Sequence, residues 1–385
     1  MTLAERSTLV LAFARVLYVN GQSTDEMLAA VVRLGATLGL RATIIPRWGE
    51  LELQVEDGHA RFVSVVDGDP TGVDMRRAAS TMWIFALASG VAAVALAVLF
   101  GVQHLRAAAV IFLSAGTGAI VRRRLAHYSA NIFLQPFCAA LLAGIVGALA
   151  VVYDFSSMLR LVAVCPCMVL VPGPHVLNGA LDLMKGRIHL GADRLIFAGL
   201  VIVAISTGLL VGLALFGVSL PVDPPGRAVP VWQDMIAAGL AVACYSVFFS
   251  TPRQMLAWPV AVGMSAHALR WVALSVFGLS AAIGAFLACL VVGLILTPVA
   301  HRWRMPFAAI GFASVVSMMP GVLLFRMASG LVQLADSSHT TLEIVTATFA
   351  DSSTAVLIIL GMSLGLTVPK MVLDSLVERT AAAGS

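Results

Sequence analysis

The feature that most constrains this chain is a succession of apolar runs, each about as long as a bilayer is thick, that begins at Met82 and continues almost to the end. The runs fall near 82–100, 107–121, 132–152, 159–172, 191–219, 232–250, 255–269, 276–299, 307–319 and 341–368. A transmembrane helix needs about 20 mostly apolar residues, so they are read as ten candidate spans. The hydrophobic share is 60% and the charged share 11%, against roughly 25% charged in soluble domains. That excludes an ordinary soluble enzyme. Nucleic-acid binding is excluded too, because the 24 Lys and Arg residues are scattered through apolar runs and build no basic face. No metal or cofactor spacing is present, so neither is expected. The expected fold is a polytopic α-helical membrane protein in a lipid bilayer.

A Pro-rich segment, 220–230, divides the spans five and five. The halves look alike at an offset of 148 residues. Val171-Pro172-Gly173 meets Met319-Pro320-Gly321, and Arg122 meets Arg270. An odd number of spans per repeat reverses the second copy, so two inverted five-helix repeats are expected, 78–219 and 231–385 with its tail. This arrangement places a transporter's substrate site near the midplane. With the N-terminus in the cytosol, thirteen Lys and Arg residues fall on the cytosolic side and at most five outside. The positive-inside rule therefore supports cytosolic termini.

Residues 1–77 hold 18 of the 44 charged residues. The opening MTLAERSTLV has no basic n-region and carries Glu5, so a cytosolic domain rather than a signal peptide is expected. Leu9, Val10, Phe13, Val16 and Leu17 recur at helical spacing over 3–19. Ser23 and Glu26 read as a capping box opening a second helix, with Met27, Val31, Leu34 and Leu38 on one face. Period-two strands follow at 41–46, 51–55 and 60–66, with Asp57-Gly58 as a hairpin signal. A two-helix, three-strand α/β domain results. The five cysteines lie in apolar segments and read as small filler, Cys165-Pro166-Cys167 included.

The candidate site residues cluster at the two breaks. Pro removes a helix hydrogen bond and Gly frees the backbone, so Pro172-Gly173 and Pro320-Gly321 should each end one helical piece and start a half-helix, 174–184 and 322–334. A half-helix N-terminus suits a substrate carboxylate. Asn178 and Asp182 share one face of the first piece. Arg326 and Gly330 hold the equivalent positions, so an acid and a base are expected to meet between the repeats. Span ten carries Asp351 near its middle, with Thr348 and Ser352 on its face. A charge at that depth costs roughly 2.5–3.5 kcal/mol on insertion scales, which marks Asp351 as a functional candidate. Asp351, Asp182 and His267 are the proton-coupling candidates. Pro172, Gly173, Asn178, Asp182, Pro320, Gly321, Arg326, Thr348 and Ser352 are the substrate candidates. Asn131 and Gln135 read as interfacial. Gly116, Gly118, Gly144 and Gly147 read as helix-packing residues.

The segment Leu11-Ala12-Phe13-Ala14-Arg15-Val16-Leu17 to Asn20-Gly21, with Thr24-Asp25-Glu26 and Leu38-Gly39-Leu40, resembles the start of the threonine/serine exporter family. Val171-Pro172-Gly173-Pro174 to Asn178-Gly179-Ala180-Leu181-Asp182 resembles its span-four motif. The resemblance implies a bacterial inner-membrane protein, not an enzyme. It implies export of small amino acids such as threonine and serine, driven by an ion gradient, here a proton gradient. In two-protein relatives, each carrying one half, the implied cargo is a dicarboxylate such as succinate. An uncoupled channel is the remaining alternative. Homo-oligomerisation is compatible with a compact membrane domain, and nothing in the sequence fixes it.

Overall fold

A computed structural model describes residues 1–58, 60–70, 82–153, 159–220, 229–248, 251, 253–303, 307–335 and 341–383. The expected domain boundary at 77/78 and most of the Pro-rich segment lie outside these.

The N-terminal part contains α1 (Leu3–Val19) and α2 (Thr24–Thr37), then β1 (Arg41–Arg47), β2 (Gly49–Glu56) and β3 (Arg61–Gly68). The strands form an antiparallel meander in the order β1-β2-β3, with Arg47 opposite Glu50 and Glu56 opposite Arg61. Alternation puts Ala42, Ile44, Leu51, Leu53 and Val55 on one face, and the helices cover it. The buried stripe of α1 is Ser7, Val10, Leu11, Ala14 and Tyr18. Leu9, Phe13 and Val16, expected on that face, are exposed. The expected capping box at Ser23 does not form. Ser23 makes no side-chain cap bond, and Glu26 turns towards Lys370. A capping box instead opens α1, between Thr2 and Glu5.

The rest is helical: α3 (Met82–Leu99), α4 (Leu105–Tyr128), α5 (Leu134–Val152), α6 (Leu159–Met168), α7 (Gly173–Met184) and α8 (Ile188–Ala214). These are followed by α9 (Val231–Phe248), α10 (Ala257–Ser275), α11 (Ala281–Trp303), α12 (Phe307–Val315), α13 (Gly321–Ala335) and α14 (Leu342–Ala383). Their small residues face inward. On α3, Ala86, Ser89, Gly90, Ala93 and Ala97 are buried, while Trp83, Ile84 and Leu87 face outward. The same reversal recurs on α8, where Gly208 and Gly212 are buried while Ile196, Leu200 and Val203 are exposed. Such a surface belongs against lipid, and such an interior allows close helix contact.

Among the described residues, seven helices are long and apolar enough to cross a membrane: α3, α4, α5, α8, α9, α11 and α14. The pairs α6–α7 and α12–α13 are bent by 55° and 53°, giving up to nine spans if each pair is one. The expected run 255–269, seventh in order, lies in α10, whose apolar stretch is diluted by His267 and Arg270. Helix α14 runs on through Pro369, past the expected end of span ten.

The same helix pairs touch in each half. Contacts of α3 with α4, α4 with α5, α5 with α8 and α7 with α8 are matched by α9 with α10, α10 with α11, α11 with α14 and α13 with α14. The α5–α8 crossing is lined by Gly144, Gly208 and Gly212, and the α11–α14 crossing by Gly293, Gly361 and Gly365. The halves meet where α3 packs on α9 and where each half-helix touches the other half's bent pair.

Candidate functional site

The first break forms because α6 runs out at Met168. Leu170 N–H donates to Cys167 O and Val171 N–H to Met168 O, closing two turns before Pro172, which has no N–H. Gly173 then starts α7. A Cβ there would run into the Phe312 ring of α12. The second break copies this scheme. The 3-10 turn Val316–Met318 leads to Pro320, and a Cβ on Gly321 would lie 2.9 Å from Met168 Cγ on α6. Each break glycine thus abuts the other half's bent pair. The structure qualifies the expectation of spare donors at the half-helix start. Gly173 N–H donates to Val171 O (2.9 Å) and His175 N–H to Pro172 O (3.1 Å), and Pro174 has none to give.

A cavity of about 550 Å³ opens beside the first break. Pro172, Pro174, His175 and Asn178 line one wall, and Arg122, Arg123 and Gln135 another. Arg194 lines it as well, and Tyr245 and Phe312 come from the second half. Phe85, Phe197 and Phe248 add aromatic faces, and Val19, Gly21 and Pro70 of the N-terminal part close one side. Tyr245 Oη donates to Met168 O (3.3 Å), the carbonyl that also accepts from Val171 N–H where α6 ends. Arg122 has neither ion pair nor hydrogen bond among the described residues. Among the described residues, no carboxylate lines the cavity.

The N-terminal part docks on the ends of α7 and α8. Asn178 Nδ2 donates to Gly21 O (3.3 Å) and Thr24 Oγ1 to Asp182 Oδ2 (3.1 Å). Asp182 also pairs with Arg187 (3.2 Å) and Arg194 (3.1 Å), and Arg194 lies 5.5 Å from the Tyr18 ring centre. Asp25 pairs with Lys185 and, at 2.6 Å, with Arg187. Burial pushes the Asp25 carboxyl up, but those two cations outweigh it and hold it below the usual carboxylate range. Burial pushes the Tyr18 hydroxyl up to about 12. Burial also raises Glu26, which reaches Lys370 at 3.7 Å. Trp48, at the tip of the β1–β2 hairpin, packs on Phe197 and His175, with ring centres 5.2 and 6.1 Å apart.

The sequence candidates therefore separate into three places. Pro172 and Asn178 line the cavity, and Gly173 sits between them in the chain. Asp182 is turned into the N-terminal interface. Arg326 pairs with Asp351 at 3.0 Å, joining α13 to α14. The expected acid and base of opposite repeats thus each take a partner within their own half. The hydroxyls of Thr348 and Ser352 donate to Ile344 O and Thr348 O of their own helix, both at 2.7 Å. Pro320, Gly321, Arg326, Thr348, Asp351 and Ser352 do not line the cavity. His267 bonds through Nδ1 to Asp234 (2.9 Å) and through Nε2 to Ser317 (2.6 Å). Sequence reasoning missed Arg122, Arg194, Tyr245 and Trp48 as site residues. The run Arg122-Arg123-Arg124 closing an apolar span was the available signal, and it was read only as topology.

A threonine/serine exporter family model matches residues 76–216, and a second model described as Threonine/Serine exporter matches residues 234–372. Neither a curated protein nor a solved structure matches the chain.

Proposed function

The chain belongs to the threonine/serine exporter family, and on that premise we propose that it is a secondary transporter exporting small amino acids of the threonine or serine type across a bacterial inner membrane, with both termini cytosolic. The observation that carries this reading is Arg122, a guanidinium without a partner among the described residues, facing a cavity of about 550 Å³ at the first break. A cation without a counter-charge in a low-dielectric wall favours an anionic ligand, and arginine holds a carboxylate through two parallel bonds. The volume lies within the range of small-molecule sites. Asn178 and Tyr245 supply polar contacts beside it. The aromatic faces of Phe85, Phe197 and Phe248 suit an ammonium group.

The matched breaks and matched helix contacts support two inverted five-helix repeats and alternating access by one repeat rocking against the other. Proton coupling then needs a buried titratable group outside the cavity. In the second half the candidates the sequence offers for this are Asp351 and His267, both buried.

Proteoliposomes containing the full chain test the reading. Labelled serine and threonine should show counterflow, and R122Q should lose it while remaining monodisperse. Undiminished counterflow in R122Q would refute the assignment. A second reading, dicarboxylate export, is favoured by one observation: among the described residues, three arginines and no carboxylate line the cavity. Stronger competition by succinate than by excess serine would select it.

A further inference from the structure

One buried cluster of titratable groups lies outside the cavity and on the opposite side of the repeat relation. Asp234 of α9, His267 of α10 and Ser317 of the 3-10 turn form a continuous hydrogen-bonded chain, all at most 7% exposed. Asp234, His267 and Ser317 each lie 148 residues after Ala86, Ala119 and Val169. One offset accounts for all three, and each counterpart is an apolar residue of the first half. Ala119 and Val169 line a small recess that also reaches Arg122, and Val169 lines the cavity itself. Arg270, the counterpart of Arg122, stands one turn beyond His267. At the Val169 position, where the first half borders the cavity, the second half places Ser317 in a hydrogen bond to His267.

We infer that the Asp234–His267–Ser317 chain is the binding site of the coupling proton. The inference rests on the exporter reading above.

The hydrogen bonds define the chemistry. Asp234 accepts, so the neutral ring carries its hydrogen on Nδ1. Nε2 then has a free lone pair, which accepts from the Ser317 hydroxyl. A proton arriving at Nε2 turns that atom into a donor. The Ser317 O–H bond to it breaks, and the hydroxyl must reverse to accept. Ser317 sits two residues before Met319-Pro320-Gly321, so the exchange takes place at the entrance to the second break. Uptake forms the Nε2–H bond as the proton leaves its carrier water, and release to water breaks that bond by the reverse step.

The groups around the ring suit this role. Asp234 from α9 balances the imidazolium. Arg270 from α10 opposes it. Cys289 from α11 faces Arg270. Asp234 lies in the first turn of α9, just after the Pro-rich segment that the exporter reading puts on the outer side. A proton entering there and a substrate entering from the cavity would approach from opposite sides, as an exchange of proton for substrate requires. Asp351 is less suited, because it is already engaged by the Arg326 guanidinium 3.0 Å away.

The test separates coupling from exchange in proteoliposomes of the full chain. H267Q and D234N should keep counterflow of labelled serine or threonine. Accumulation driven by an imposed pH gradient should fall to the level seen without a gradient. The pH dependence of wild-type counterflow should flatten in H267Q. Gradient-driven accumulation at the wild-type level in either variant overturns the inference. Loss of counterflow in both variants also overturns it, by placing the chain in the substrate path or the scaffold. Absence of counterflow in the wild type overturns the exporter reading first, and this inference with it.

Discussion

Around the first break the chain leaves an open space of about 550 Å³ beside an arginine without a partner among the described residues. Around the second, the equivalent positions are packed with Asp234, His267 and Ser317, joined by hydrogen bonds of 2.9 and 2.6 Å. The bends differ by only two degrees, 55° against 53°. The backbone plan has been kept while the side chains have diverged. Alanine and valine cannot hydrogen-bond across a gap, and Val169 borders the cavity while Ala119 borders the small recess beside it. The three polar residues that replace them draw α9, α10 and the turn before α13 together. One plan therefore yields a place for a ligand in one half and a sealed polar chain in the other.

The largest expected effect lies in the second half, where Arg326 and Asp351 join α13 to α14. Removing one member of a buried ion pair costs about 3–5 kcal/mol, so R326A should sharply lower the melting temperature in detergent. Replacing both residues with leucine should recover most of that loss. If R326A melts like the wild type, the pair does not hold the second half together.

The two break glycines provide a direct contrast. G173A pushes a methyl into an aromatic ring, and overpacking of this kind costs about 1–3 kcal/mol. G321A meets only the flexible side chain of Met168, which can yield. Thermal unfolding should rank G173A well below G321A, and equal melting temperatures would dissolve the distinction drawn between the two breaks.

The smallest effect concerns the N-terminal docking. The Asp25 carboxyl is held below its ordinary range when docked, so its contribution is present above the undocked value and is lost as pH falls through the docked one. Docking should weaken only on acidification below the usual carboxylate range. Trp48 fluorescence, in a chain whose five other tryptophans are replaced by phenylalanine, should report the change. Loosening at neutral pH would show that the Asp25 pairs do not hold the domain. Added salt should weaken them modestly, because these side chains are about a quarter exposed.

The sequence made the helices legible because apolar runs and Pro-Gly pairs act locally. The breaks came out within a residue or two, since Pro172 and Pro320 end their helices whatever surrounds them. The strand register was equally local, set by alternation and by the turn glycines Gly49 and Gly58, both at positive φ. What failed depended on partners distant in the chain. Glu26 left its expected cap for Lys370, 344 residues away, and Asp182 turned towards Thr24 and Arg187 instead of the cavity. Arg122 was visible as a charge, but its isolation is a property of its neighbours, and no spacing rule reports that. The asymmetry between the halves was written at one offset in Ala86, Ala119 and Val169, residues that carry no chemistry and so drew no notice.

Asp25 and Glu26 are neighbours at the start of one short helix. Asp25 holds the α7–α8 turn of the first half through Lys185 and Arg187, and Glu26 reaches Lys370 on α14 of the second. A displacement of one half relative to the other therefore cannot leave both contacts at their present lengths unless side chains adjust. Two adjacent carboxylates of one helix thus tie the N-terminal part to both halves of the chain at once, like the two jaws of a caliper set to a single spacing.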